Sequence, residues 1–532
     1  MLAAAVRLWG IDFGLAQPFA RPDEETVVGV ATAFFTGDLH PHFFNYPTLY
    51  MYTLAALFGA YFMVGRTFGW FRSSHQFVTF TVTNAATFRL MARVASATAG
   101  VATVGVVYTA GQRLFGRTTA LIAALFLAVS PLHARDSHFG VTDVTATFLV
   151  MVSFVLVLRL AETGTVRDLV LSGVTAGLAA STKYNAGLIV VPALWVILGP
   201  ISGRRLDWAV RGRRLALYGV CTAAAFVAAS PYVLLDWPAF LRGIRIEAGH
   251  LQAGHGVILG RGWVVHVTSS LRHGLGIWPL ALGVGGFVLL IRKNWTSGIL
   301  LASFPVTYYL LIGAGQTVFA RYILPVVPFL CLSGAAMLDW IAERTTAWVG
   351  RPALKMWAAA VLLAVVLGPS FLRTVRIDSV LASPDSRVLA SEWIQAAFPG
   401  GALVGQHGAV FGRVQFPVDG RNEPLLYHTV EFDAGSGRFL ARRGEATPLP
   451  EVLVVQRAPV PLWDDRPDHI LEAVGTHYVL AKSILAFEPD QTGAHRVYDW
   501  QDAFFVPLEG FGGVHRPGPN LSIYVRRGLK RL

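Results

Sequence analysis

The chain has little charge. Lys, Arg, Asp and Glu supply 14% of its 532 residues, where a soluble domain carries about 25%. An ordinary water-facing globule is excluded on that ground. Cysteine is almost absent as well. Cys221 and Cys331 both lie in apolar segments, so no disulfide framework is indicated and a thiol-based site is not suggested. There is no internal repeat, no low-complexity run and no evident cleavable signal peptide. After residue 370 there is no apolar segment of membrane-spanning length.

What the chain does have is apolar sequence, 54% of it hydrophobic. Segments of spanning length recur from residue 89 to residue 370, which predicts a polytopic α-helical membrane protein. The formal net charge of +12 sits largely in short loops between apolar segments. The positive-inside rule accounts for it better than a nucleic-acid partner does, and no nucleic acid is expected.

Spans are expected near 89–110, 119–133, 143–160, 168–182, 186–200, 214–235, 273–291, 298–313, 322–341 and 353–370. Residues 1–10 are too short to cross and read as the end of a truncated first helix, giving about eleven spans in all. With this parity the loop at 201–214, with five Arg, falls inside. So do the Gln112–Arg117 turn, Arg292-Lys293 and the 342–352 loop. Residues 11–88 form a long first outer loop. Within it, 48–64 reads as an interfacial helix, because a full span there would move the first acidic stretch to the opposite face from the second. Residues 371–532 differ in kind, with frequent charge, Pro and Gly. Asp385–Ile394 reads as a helix, and 402–405, 452–455 and 477–481 as short buried strands. That predicts an extracytoplasmic α/β domain at 371–532 after a transmembrane catalytic domain at 1–370.

Four outward-facing clusters carry candidate chemistry. The first is Arg21-Pro22-Asp23-Glu24-Glu25, with His42, Asn45 and Tyr46 further along the same loop. Adjacent carboxylates raise one another's proton affinity, and a carboxylate so raised can act as a base near neutral pH. The plainer reading is a solvated turn opening a helix, with Pro22 at its first position; Glu25 in particular reads as a solvated helix-start acid. The second cluster runs from Arg135 through Asp136 and His138 to Asp143. The third, Ser181–Asn185 with Lys183 and Tyr184 inside it, interrupts an apolar run. The fourth holds Arg321, Tyr322 and Pro325. Charge near membrane depth is costly, so each is a functional candidate. Each also has a structural reading. Arg135 and Arg321 could snorkel to headgroups, Lys183 could anchor a helix end, and Asp143 could cap a helix. His42 and His138 could be hydrogen-bonded structural residues. Taken together, two acidic motifs and three cations on one face beside lipid suit a substrate with an anionic phosphate and a hydroxyl to be deprotonated.

These motifs also run in a familiar order. The Arg-Pro-Asp-Glu loop comes first, then Asn45-Tyr46-Pro47, then the Arg113-Leu-Phe-Gly-Arg117 turn. The Ser137…Thr142-Asp143 pair, the Thr182-Lys183-Tyr184 break and the Arg321-Tyr-Ile-Leu-Pro325 segment follow. As an ordered set over residues 1–370 the chain resembles the GT-C glycosyltransferases. Within them it is similar to the protein-mannosyltransferase-like family 39 and its relative, the lipid A aminoarabinose transferase. The resemblance implies a GT-C fold and a sugar donor carried on a polyprenyl phosphate. Transfer would occur to a hydroxyl of a protein, lipid or glycan at the extracytoplasmic face of the bacterial plasma membrane, usually with inversion. By matching position Asp23 looks like the catalytic base, with Glu24 beside it. Asp143 looks like the second acid, orienting the acceptor or, in some members, a metal. Lys183 and Arg321 would hold the donor phosphate, with Arg135 assisting. His42, Asn45, Tyr46, His138, Tyr184 and Tyr322 would line the substrate site. No cofactor is called for. A divalent metal held by His40, His42, His138 and the acids stays open, without diagnostic ligand spacing.

Two other readings compete. A transporter or flippase of a lipid-linked glycan would often show paired half-repeats with matching helix breaks, and only the Lys183 break is seen. A non-catalytic assembly partner would be expected to lack the acids, which are present.

Overall fold

Lipid offers a backbone no hydrogen-bond partner, so apolar sequence crossing it must fold as helix. The computed structural model describes residues 1–199, 207–346, 352–416, 426–433, 435–441, 444–465, 468–489 and 495–529. Part of the Arg-rich 201–214 loop and part of the 342–352 loop lie outside them. Among the described residues five helical stretches are long and apolar enough to cross a membrane. They are Ala85–Phe115, Thr142–Thr163, Trp295–Gly313, Ala320–Thr345 and Met356–Ala397. Gly262–Gly274 and Ile277–Lys293 form a further pair bent by 119° at a short break. The expected spans at 119–133 and 186–200 fold as shorter apolar helices, Arg117–Ala128 and Tyr184–Leu198. The apolar helix Leu49–Thr67 is not among the five.

The chain divides into two units. One comprises Met1–Leu8, Val27–Tyr61 and Met91–Val375. Its helices pack through small residues that let backbones approach. A side chain on Gly177 would run into the Thr222 carbonyl of helix Trp208–Ala229, and one on Gly286 into the Ser333 carbonyl. Helix Val166–Thr182 opens on Thr165, whose hydroxyl accepts from the Asp168 N–H. It stops at Lys183, which is extended (φ −152°, ψ 124°), before a tight turn of helix over Tyr184–Ile189. The break expected from the polar interruption at 181–185 is therefore real.

The second unit comprises Trp9–Thr26, Phe62–Leu90 and Arg376–Leu532. Its six strands are β1 (Ala402–His407), β2 (Tyr427–Asp433), β3 (Arg438–Leu440), β4 (Val452–Arg457), β5 (Tyr478–Ile484) and β6 (Asn520–Arg526). They form a mixed sheet in the order β3-β2-β1-β4-β6-β5. β1 is parallel to β2 and β4, and the other pairings are antiparallel. Alternation along β4 sends Val452 and Val454 to one face and Leu453 and Val455 to the other. The first pair packs with Val404, Leu521, Ile523 and Ile394 of helix Ser386–Ala397. The second packs with Val430, Phe439, Tyr478 and Ile470 of helix Asp468–His477. The expected helix at 385–394 and the three expected strands all form; β2, β3, β6 and helix Asp468–His477 are additional.

Candidate active site

In the first unit, Asp143 stands in the first turn of helix Thr142–Thr163 and Lys183 at the break. Their side chains meet at 2.5 Å, with Asp143 4% and Lys183 8% exposed. Lys183 Nζ also lies 4.8 Å from the Tyr322 ring centroid, within cation–π range. Tyr322 belongs to the tight helical stretch Ala320–Val326, which contains Pro325. Its carbonyl accepts a hydrogen bond from the Tyr308 hydroxyl at 3.0 Å. Arg321 stacks over Phe319 at 4.1 Å and approaches Tyr322 at 5.7 Å. The Tyr184 hydroxyl donates to the Phe44 carbonyl at 3.0 Å, which ties the break to the loop bearing Asn45 and Tyr46. A cavity of about 210 Å³ opens beside Lys183, bordered by Asn45, Tyr46, Tyr184, Tyr322 and Glu247. Thus five expected residues, Lys183, Asn45, Tyr46, Tyr184 and Tyr322, border one cavity, and Asp143 touches it through Lys183. Glu247, on helix Trp237–Ala253, is a sixth member that sequence reasoning missed. Nothing marks it out locally from other acids on amphipathic helices.

Arg135 and His138 do not border that cavity. Arg135 is fully buried, pairs with Asp136 at 3.0 Å and lies 5.8 Å from the Phe139 ring centroid. His138 is fully buried and bonds the Ala134 carbonyl through Nδ1 at 2.9 Å. His42 has positive φ (47°) and a largely exposed side chain whose Nε2 lies 2.8 Å from Asp38. That hydrogen bond is the main reason the Asp38 carboxyl is held below its ordinary range. The backbone N–H of His42 donates to His40 Nδ1, which leaves His40 Nε2–H to donate to Asp236 at 3.1 Å.

The donor set for a metal does not assemble. Among the described residues no three His, Cys, Asp or Glu side chains come together to hold an ion. His40 and His42 are each turned to a carboxylate and His138 to a carbonyl, so these residues do not fit one.

The acidic stretch belongs to the second unit. Helix Pro22–Ala33 begins there with Asp23, Glu24 and Glu25 in its first turn. Arg21 just before it is buried, and its Nη1 lies 2.7 and 2.6 Å from the two carboxylate oxygens of Asp502. Asp23 is half-buried and Glu24 fully buried. Glu25 is not the solvated acid the sequence suggested. It accepts from Arg89 Nη1 at 2.8 Å, and its side chain is 24% exposed. Burial raises its pKa above the usual range, against the pull of Arg89, with Glu24 adding to the rise.

Residues 81–234 match a family model described as dolichyl-phosphate-mannose-protein mannosyltransferase. That stretch holds Arg135, His138, Asp143, Lys183 and Tyr184. No curated protein sequence matches the chain. Among solved structures the chain is similar to ArnT from Cupriavidus metallidurans in the apo state, with TM-score 0.52 and 18% identity over 90% of this chain and 95% of that one. The same protein bound to undecaprenyl phosphate gives TM-score 0.52 and 18% identity over 90% and 96%. The Archaeoglobus fulgidus oligosaccharyltransferase gives TM-score 0.49 and 11% identity over 74% and 57%. With its apolar helices, its break at Lys183 and its C-terminal sheet, the chain has the GT-C fold of the membrane glycosyltransferases.

Proposed function

We propose that the protein is a membrane glycosyltransferase that moves a sugar from a polyprenyl-phosphate-linked donor to an acceptor hydroxyl. We place the reaction at the extracytoplasmic face of a bacterial plasma membrane, with inversion at the anomeric carbon. The observation that carries this reading is the buried Lys183 ammonium, set at a helix break beside Asp143, Tyr322 and a cavity of monosaccharide scale. A cation so placed suits a phosphate that must leave. Support also comes from the fold, from the undecaprenyl phosphate bound by ArnT, and from a family model named for a dolichyl-phosphate mannose donor.

In this reading the acceptor oxygen attacks the anomeric carbon, the bond from that carbon to the phosphate oxygen breaks, and polyprenyl phosphate departs. Lys183 and Arg321 stabilise the charge that grows on the phosphate, so no general acid is needed. Asp23 takes the acceptor's proton, a role resting on its place in the sequence pattern, and Glu24 tunes it. Asp143 orients the acceptor. Asn45, Tyr46, Tyr184 and Tyr322 line the substrate site. Mass spectrometry of envelope glycans and glycoproteins tests the reading. Deleting the gene should remove one sugar from a defined product, and identical profiles with and without the gene would contradict it.

A further inference from the structure

The acidic turn is held from both sides by residues of its own unit. We propose that the sheet domain positions this turn and that Asp502 is the positioning residue through which it acts. This rests on the reading of Asp23 as the base.

Arg21 and Asp502 are 1% and 4% exposed, and Nη1 sits within hydrogen-bond distance of both carboxylate oxygens. Pro22 follows with its φ fixed by the ring, and the Glu24 N–H closes a turn onto the Arg21 carbonyl at 3.1 Å. Fixing Arg21 therefore fixes the direction in which Asp23 and Glu24 leave it. Upstream, Gln17 makes two hydrogen bonds to the backbone of Gln415, at 3.0 and 2.9 Å. Phe13 packs edge-on against Phe504, and Phe19 against Phe411. Downstream, Glu25 is held by Arg89, whose other nitrogen donates to the Leu15 carbonyl at 2.6 Å. Phe19 has φ 63°, a conformation a bulky residue keeps only where its surroundings impose it. Asp23 and Glu24 thus sit between two clamped neighbours.

A buried ion pair adds little stability that well-packed apolar residues could not replace; its distinctive contribution is direction and register. A base needs that, because catalytic groups must be held to about 0.5 Å of their working place.

The test replaces the pair as a unit. Arg21→Met with Asp502→Leu removes both charges and strands neither. Arg21→Asp with Asp502→Arg restores the pair reversed. Each pair is expressed in the gene-deletion strain at matched membrane level, then purified for thermal unfolding and for titration with undecaprenyl phosphate. For the apolar pair we expect unchanged unfolding, unchanged undecaprenyl phosphate binding, and a loss of transfer of about 100-fold. The reversed pair should recover transfer. If the apolar pair does not reach the membrane, Asp502→Asn, which keeps shape and an acceptor, should show the same selective loss. A folded apolar pair or Asp502→Asn that transfers at the wild-type rate overturns the proposal, as does a folded reversed pair as inactive as the apolar one. Asp23→Asn runs alongside. If it too transfers normally, the reading of the base has failed; if it is inactive while the Asp502 variants are active, only the positioning role has failed.

Discussion

Lys183 and Asp143 are buried together, so truncating one strands the other. Lys183→Ala should cost about 3–5 kcal/mol of stability, and Lys183→Ala with Asp143→Ala should recover much of it. Neither variant should keep the affinity for undecaprenyl phosphate, with a loss of roughly 2–5 kcal/mol if the pairing with phosphate is desolvated. Thermal unfolding and a lipid titration measure the two effects separately, and a Lys183→Ala protein with unchanged affinity would take Lys183 out of the donor site. Glu25 yields a pH prediction. Its pKa is raised in the folded state, so the protonated form is favoured there. Its contribution to stability is full below the ordinary value of 4.5 and is lost as pH rises through the raised one. Glu25→Gln, which mimics the protonated form, should therefore match the wild type in acid and gain on it towards neutral pH. A variant that loses ground as pH rises would show that the Arg89 pairing outweighs burial. Lys183 was legible in the sequence because a cation interrupting an apolar run has few structural explanations. The partner of Arg21 was not, because Asp502 lies 481 residues away and a buried ion pair leaves no local pattern.

At the scale of elements, the features legible in advance were those with strong local causes. The Lys183 break follows from polar residues inside an apolar run. β4 follows from a Val-Leu-Val-Val run buried on both faces. Helix Ser386–Ala397 follows from Asp385, whose carboxylate caps it. β2 escaped because only Val430 of its seven residues is buried, so its alternation is faint. The two clamps on the acidic turn escaped because each joins distant segments. Helix packing supplies a prediction here. Gly177→Ala puts a methyl into the Thr222 carbonyl and should cost about 1–3 kcal/mol by overpacking, read as a lowered unfolding temperature in detergent. An unchanged temperature would mean that helices Val166–Thr182 and Trp208–Ala229 are less closely apposed.

For the whole molecule the open quantity is orientation. Gly203 and Gly420 lie outside the described residues, and the Arg-rich 201–214 loop together with the parity of the expected spans predicts them on opposite sides. With Cys221 and Cys331 replaced, a cysteine at Gly203 should react with a membrane-impermeant maleimide only from the cytoplasm, and one at Gly420 only from outside. Labelling of both from one side would contradict the assigned sidedness of the two domains. The central claim, transfer from a polyprenyl-phosphate sugar with Asp23 as the base, is met most directly by one comparison. Wild-type protein and Asp23→Asn are assayed for release of undecaprenyl phosphate from the donor that the envelope analysis identifies, with its acceptor present. Asparagine keeps the shape of the side chain but takes no proton at neutral pH. The account predicts turnover reduced by about 10²–10⁴-fold with undecaprenyl phosphate still bound. Turnover near that of the wild type would contradict it.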